Sequence, residues 1–67
     1  MANTKSAPYP FADKERQYRK YDDASLAFAR RDAHEAMKAS QGWNEPAACW
    51  YADDLHTIAA EQKRRGA

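Results

Sequence analysis

The chain has few bulky aliphatic side chains. Its 67 residues include no valine, one isoleucine and two leucines: Ile58, Leu26 and Leu55. Strands favour valine, isoleucine and threonine, whereas alanine, the commonest apolar residue here, favours helices, so the composition predicts an all-α fold. Because each bulky apolar side chain contributes roughly 2 kcal/mol when buried, we expect a marginal core that self-association or a partner surface completes.

Cysteine, glycine and long apolar runs are also scarce. The single cysteine, Cys49, cannot form an internal disulfide, which suits a reducing compartment such as the cytoplasm. Two glycines, Gly42 and Gly66, cannot build a glycine-rich phosphate loop. No apolar run approaches the ~18 residues of a membrane-spanning helix, and the first nine residues do not resemble a signal peptide. We therefore expect a cytoplasmic protein without membrane contact.

The first eight residues, MANTKSAP, are small and polar and show no periodicity. Pro8 and Pro10 hold this stretch extended, since the residue before a proline avoids the α region. The pattern predicts a flexible tail over residues 1–10 and a single helical domain over residues 11–67. The segment over residues 11–21 is charged and helix-tolerant, and it predicts a short N-terminal helix.

Two longer helices are predicted after it. Asp22 offers an N-cap oxygen for a helix over about residues 23–40, and Gly42 and Pro46 mark a turn before a helix over about residues 45–65. Successive 100° steps place the following residues on the two core stripes: Leu26, Ala29, Ala33 and Met37, then Ala48, Tyr51, Leu55, Ile58 and Gln62. The short turn predicts an antiparallel helical hairpin with an N-terminal extension, and two hairpins could dimerise into a four-helix bundle.

Charge is distributed unevenly along the chain. Residues 1–21 hold five basic and two acidic side chains, whereas residues 22–61 hold three basic and eight acidic ones. An antiparallel hairpin brings the basic residues together at one end: Arg16, Arg19, Lys20, Lys63, Arg64 and Arg65. This basic end could bind a phosphate backbone, with Tyr18 and Tyr21 stacking on bases. A solvated helix end that complements the helix dipole is the simpler interpretation.

Large aromatic side chains are the candidate partner-binding residues. They are Trp43, Trp50, Phe28, Tyr18 and Tyr21. Aromatic side chains are the usual anchors of protein interfaces, although in a chain with so little aliphatic bulk the tryptophans could instead fill its own core. Phe28 falls outside the predicted core stripe, and we expect it to pack under Phe11 or Tyr18.

Potential catalytic and metal-binding groups are isolated. Asp53 and His56 have the three-residue spacing of a helical metal site, but such a site needs a second copy of the pair, and the sequence has none. Cys49 has no histidine at helical neighbour spacing that would activate it. We therefore expect no metal site, no cofactor and no enzymatic activity.

The segment YADDLHTIAAEQKRR, residues 51–65, resembles a stretch of short uncharacterised proteins of tailed bacteriophages. The residues that match are Tyr51, Ala52, Asp53, Asp54, Leu55, His56, Ala59, Glu61, Arg64 and Arg65. The resemblance covers about the last quarter of the chain, and the sequence departs from the phage pattern at residues 47–50. It implies a phage or prophage origin, and small phage proteins often bind and inhibit a host protein or complex.

Two functional hypotheses follow. In the first, the chain is a phage-type accessory protein that acts in the host cytoplasm, where it binds and modulates or inhibits a host protein or complex through its aromatic residues. In the alternative, it is a small nucleic-acid-binding protein that uses the basic end. These hypotheses differ in the expected effect of salt, because phosphate binding weakens steeply as ionic strength rises.

Overall fold

The computed structural model describes residues 8–66 and contains three α-helices. These are α1, Phe11–Arg19, α2, Asp23–Ser40, and α3, Glu45–Arg64. Residues 8–66 contain no β-strand, and the predicted all-α fold is confirmed. The predicted range of α2 is also confirmed. Helix α1 ends two residues before Tyr21, where the sequence predicted its end. Within this range, no helix is long and apolar enough to cross a membrane.

Side-chain caps define the N-terminal ends of the two long helices. The Asp22 carboxylate accepts a hydrogen bond from the backbone N–H of Ser25 at 2.8 Å, and the Asn44 side chain accepts one from Ala47 at 3.3 Å. Between α2 and α3, Gly42 adopts φ +87°, a left-handed conformation that is costly for residues with a Cβ atom. The predicted caps and turn are therefore present.

Helices α2 and α3 pack side by side along the predicted apolar stripes. Leu26 of α2 and Ile58 of α3 are completely buried, and Ala33 packs with them. The guanidinium of Arg65 bonds Asp23 at 2.9 Å, so the end of α3 lies beside the start of α2. Ala29 and Leu55 complete this contact as partly buried residues.

Helix α1 packs against α3, and the packed chain begins before α1. Tyr18 is 4% exposed and belongs to the core cluster with Leu26 and Ile58. Tyr9, which the sequence assigned to a flexible tail, is 8% exposed, so the predicted boundary at residue 10 is wrong for this residue. Pro8 and Pro10 on either side of it are exposed, and residues 1–7 of the predicted tail lie outside the described residues, as does Ala67.

Candidate interaction surfaces

A buried carboxylate fixes α1 on α3. Asp54 Oδ1 accepts hydrogen bonds from the hydroxyls of Tyr9, at 2.5 Å, and Tyr18, at 2.8 Å. The ammonium of Lys14 lies 3.9 Å from the same oxygen. Burial, reinforced by the hydrogen bond to Asp54, raises the pKa of both tyrosines well above the ordinary value. We call these four residues the Asp54 cluster, and its polar groups bond one another.

A second polar group joins the ends of α1 and α3. Glu61 is buried and accepts hydrogen bonds from the guanidinium groups of Arg64 and Arg65, at 2.6–2.9 Å. The hydrogen bonds from Arg64 and then Arg65 lower the pKa of Glu61 to about 2. Arg65 Nη2 also donates to the backbone carbonyls of Tyr18, Arg19 and Tyr21, at 2.7–3.2 Å. Arg65 therefore bonds backbone carbonyl oxygens at and just after the end of α1.

The Asp54 cluster holds Tyr18, one of the predicted partner-binding residues, in the core. Tyr18 is buried and its hydroxyl is bonded to Asp54, so its role in this fold is to hold α1. Tyr21 is half-buried, and its ring contacts Tyr18 edge-on with centroids 5.1 Å apart. The buried Tyr18 ring therefore lacks the open face that base stacking requires.

Phe28 is a large apolar side chain on α2 that the packing leaves exposed to solvent. It is 71% exposed, and the prediction that it packs under Phe11 or Tyr18 is wrong. The reason is the position of α1, which the Asp54 cluster holds against α3 rather than over the outer face of α2. Phe28 stands instead at the edge of a groove of about 830 Å³ that also contacts Tyr21.

The two tryptophans occupy different environments. Trp43, in the turn after α2, is 74% exposed, and its indole N–H donates to the carbonyl of Ala39. Trp50 is half-buried, and its ring packs edge-on against Tyr9 and Tyr51 with centroids 5.0 and 5.6 Å away. Trp43 is thus presented on the surface, whereas Trp50 packs beside the Asp54 cluster.

Trp43 and Phe28 lie on the same side of α2. Phe28, Asp32, Glu35 and Ala39 follow one another at four- and three-residue steps, which places them along one helical face. Ala39 supplies the carbonyl that holds the Trp43 indole, so an aromatic ring stands at each end of this row. Phe28, Asp32, Glu35 and Trp43 are all exposed, and we call this set the outer stripe.

The predicted basic end is partly used within the fold. Arg64 and Arg65 are bonded to Glu61, and Arg16 forms an ion pair with Asp13. Arg16 and Arg64 are nevertheless exposed, as are the remaining members of the predicted set: Arg19, Lys20 and Lys63. The structure therefore leaves a smaller cationic surface than the sequence count indicated.

Metal-binding and nucleophilic groups do not converge in the described part of the chain. Over residues 8–66 there is no group of three or more histidine, cysteine, aspartate or glutamate side chains that could hold a metal ion. Cys49 is an exposed free thiol. Asp53, which the sequence paired with His56, is half-buried, and its carbonyl accepts the Thr57 hydroxyl at 2.9 Å.

Sequence reasoning missed the residues that hold α1 in place. Asp54, Thr57, Glu61 and Arg65 recur at helical spacing and form a polar stripe on α3 next to its apolar stripe. Three of the four are buried, and Arg65 is half-buried. A search for polar as well as apolar periodicity would have found this stripe, although not its partners.

Comparisons with known proteins assign this chain to no family. No protein-family model, no curated protein sequence and no solved structure matches the chain.

Proposed function

We propose that this chain is a small phage-type accessory protein that binds a host protein in the host cytoplasm, and thereby modulates or inhibits it. The observation that carries the proposal is the outer stripe, with two large aromatic side chains about three-quarters exposed at its ends. The resemblance of residues 51–65 to tailed-phage proteins supports the origin. The binding unit that we propose is an antiparallel hairpin of α2 and α3, with α1 packed on α3.

The apolar content of the outer stripe supports a protein partner. Exposing Phe28 and Trp43 to water is unfavourable, because burying a large apolar side chain contributes about 1.5–3 kcal/mol. Each therefore offers free energy that a partner can recover, and rings of this kind are the commonest interface hot spots. The bond from the Trp43 indole to Ala39 limits its mobility before binding, so less side-chain entropy is lost on association.

The charge of the outer stripe indicates the character of the partner. Asp32 and Glu35 lie between the two aromatic rings and are exposed. A complementary surface would carry lysine or arginine opposite these carboxylates and apolar pockets for the rings. Electrostatic attraction of this kind accelerates association and weakens as salt rises, whereas the aromatic contacts chiefly determine dissociation.

The alternative proposal, nucleic-acid binding at the basic end, has weaker support. It would depend on Arg19, Lys20 and Lys63, because the guanidinium groups of Arg64 and Arg65 are bonded to Glu61. A phosphate contact by either arginine would have to compete with that carboxylate. Homodimerisation into a four-helix bundle stays a prediction, which light scattering coupled to size-exclusion chromatography would test.

The deciding experiment is affinity capture from a bacterial lysate, with and without nuclease, followed by binding measurements on the purified partner. We expect a nuclease-resistant protein whose affinity falls at least about tenfold for Phe28→Ala, the loss typical of an interface hot spot. Trp43→Ala should have a similar effect. The matched control is Lys38→Ala, another exposed position on α2 outside the outer stripe.

Two results would count against the proposal. One is a partner that the Phe28→Ala, Trp43→Ala double variant binds as well as the original chain does. The other is capture that disappears on nuclease treatment and on substitution of Arg19, Lys20 and Lys63, which would favour the nucleic-acid alternative. Circular dichroism of each variant separates lost binding from lost folding.

A further inference from the structure

Helices α2 and α3 enclose a second groove, on the side that α1 does not cover. Its volume is about 720 Å³, and α2 contributes Arg30, Arg31 and His34 to its wall. Its apolar floor includes Leu55 and Ala59 from α3. We call it the arginine groove. It is separate from the outer stripe, because neither Phe28 nor Trp43 lines it.

The arginine groove has charge of one sign only. Of the described residues that line it, none is acidic, whereas two are arginines and two are histidines, His34 and His56. Arg30 Nη1 donates to Gln62 Oε1 at 2.9 Å, a neutral acceptor that leaves the positive charge uncompensated. Both arginines are exposed, so their remaining N–H donors are available to a ligand.

The floor of the groove restricts the class of ligand. Ala27, Ala52 and Ala59 are small, and with the half-buried Leu55 they form a shallow apolar strip between the charged walls. The lining residues of α3 extend from Ala52 to Gln62, or about 15 Å at the helical rise. A strip of this length and polarity matches two to three turns of an amphipathic helix, one of the common modes of peptide recognition.

A second copy of the chain related by two-fold symmetry is a poor occupant for this groove. An isologous dimer would place the groove against itself, so Arg30 and Arg31 of one copy would approach those of the other without a carboxylate between them. Like charges facing each other oppose association. Nucleic acid would satisfy the arginines but would leave the apolar strip without a matching surface.

We infer that the arginine groove binds an acidic amphipathic helix of a partner protein. The small or aliphatic residues of this helix lie on the strip formed by Ala27, Leu55 and Ala59, and its carboxylates pair with Arg30 and Arg31. Bidentate pairing of guanidinium with carboxylate supplies both attraction and orientation. The inference goes beyond the proposed function, since it concerns a different surface and a partner of opposite charge.

The test uses the full chain and two synthetic peptides of about 20 residues, long enough to form helix in water. One peptide carries alanine and leucine on one face and glutamate on both flanks, and its twin has lysine in place of every glutamate. Fluorescence anisotropy should show binding of the glutamate peptide and at least tenfold weaker binding of the lysine twin. Phe28→Ala should leave the glutamate peptide's affinity unchanged, which separates this surface from the outer stripe.

Two substitutions locate the binding site. Arg31→Glu reverses one charge at an exposed position, and Ala27→Glu adds an acidic group to the apolar strip without removing any contact of Arg30. Each should weaken binding of the glutamate peptide at least tenfold. Ala24→Glu, at an exposed position of α2 outside this groove, is the matched control and should have little effect.

Three outcomes would overturn the inference. The first is that neither peptide binds, or that both bind alike. The second is that Arg31→Glu and Ala27→Glu, with helical content intact by circular dichroism, retain full affinity. The third is that a short DNA duplex binds more tightly than the glutamate peptide and depends on the same residues, which would assign the groove to phosphate recognition.

Discussion

Helix α3 contacts α2 mainly through apolar side chains, whereas its contact with α1 combines the buried Tyr18 ring with hydrogen-bonded polar groups. Against α2, Ile58 and Leu26 are excluded from water completely. Against α1, the buried Asp54 accepts two tyrosine hydroxyls, and Glu61 holds Arg65, which in turn bonds the backbone at the end of α1. Over residues 8–66, every buried side-chain nitrogen and oxygen has a hydrogen-bond partner.

The difference matters because the two kinds of contact respond differently to change. Apolar packing is non-directional and scales with buried area, so it tolerates conservative substitution. A buried hydrogen-bonded group is stable only while each partner is present, because an unsatisfied polar atom is costly. We therefore expect the α2–α3 contact to set the global stability and the α1–α3 contact to set the position of α1.

The largest effect should come from truncating the apolar contact. Ile58→Ala removes one of the two completely buried side chains, and such changes destabilise proteins by about 2–5 kcal/mol. A chain this small has little stability to lose, so the far-UV circular dichroism signal of helix should largely disappear at room temperature. The control is Ile58→Val, expected to cost about 0.5–1.5 kcal/mol. An Ile58→Ala variant that melts like the original chain would refute the assigned role of this contact.

Removing the central acceptor of the polar contact should have a smaller and more local effect. Asp54→Ala leaves the buried hydroxyls of Tyr9 and Tyr18 without their acceptor, at no more than about 1–3 kcal/mol for each unsatisfied group. Detachment of α1 would expose both hydroxyls to water and so limit the total loss. Hydrogen exchange should accelerate in α1 more than in α2 and α3. Asp53→Ala, at the half-buried neighbouring position, is the control and should leave the exchange of α1 nearly unchanged.

A compensating variant tests whether hydrogen bonding is the cause. Replacing both tyrosines by phenylalanine together with Asp54→Leu removes donors and acceptor at once, and such paired replacement is often close to neutral. Stability should recover relative to Asp54→Ala. If it does not, the Asp54 carboxylate has a role beyond accepting from Tyr9 and Tyr18, and the comparison between the two interfaces needs revision.

The apolar contact between α2 and α3 could be predicted because the sequence features that determine it are local. The helix ranges follow from alanine content, from the Asp22 cap and from the Gly42 turn, all of which act within a few residues. The buried positions Leu26 and Ile58 follow from the 3.6-residue period. These features need no knowledge of the third helix.

The sequence could not predict the polar contact because its partners are far apart in the chain. Tyr9 and Asp54 are separated by 45 residues, and Arg65 and the Tyr18 carbonyl by 47. The incorrect prediction that Phe28 is buried has the same origin, since that prediction assumed that α1 covers α2. Nothing in a local pattern determines which side of the α2–α3 pair a short amphipathic helix occupies.

The phage resemblance also concerns residues that build the fold. Asp54, Glu61 and Arg65 belong to the matching segment, and all three bond within the chain. The outer stripe, which we propose as the binding surface, lies outside residues 51–65. The residues that carry the resemblance therefore do not include the proposed binding surface, and the phage assignment stays a prediction.

The next largest effect on stability is expected from substituting Arg64 and Arg65, the neighbouring arginines at the C-terminal end of α3. Arg65→Gln removes the bonds to the carbonyls of Tyr18, Arg19 and Tyr21. It also removes the bonds to Asp23 and Glu61, whereas Arg64→Gln removes only bonds to Glu61. We expect Arg65→Gln to lower the melting temperature further and to accelerate exchange in α1 several-fold. Equal effects of the two substitutions would mean that the carbonyl bonds contribute nothing to the position of α1.

The smallest predicted effect is a pH dependence that reports on Glu61 alone. Hydrogen bonds from Arg64 and Arg65 lower the pKa of this carboxyl from 4.5 to about 2 in the folded chain. A depressed folded-state pKa stabilises the fold fully above the unfolded value, and this contribution is lost as pH falls from about 4.5 to about 2. In Glu61→Gln the melting temperature should be lower than in the original chain at neutral pH, and the two values should converge in acid. The Asp22 carboxylate, whose pKa the hydrogen bonds from Ser25 lower, is present in both chains and cancels in the difference. Thermal melts across this range measure the convergence, and a gap that is independent of pH would show that Glu61 acts through packing rather than through its charge.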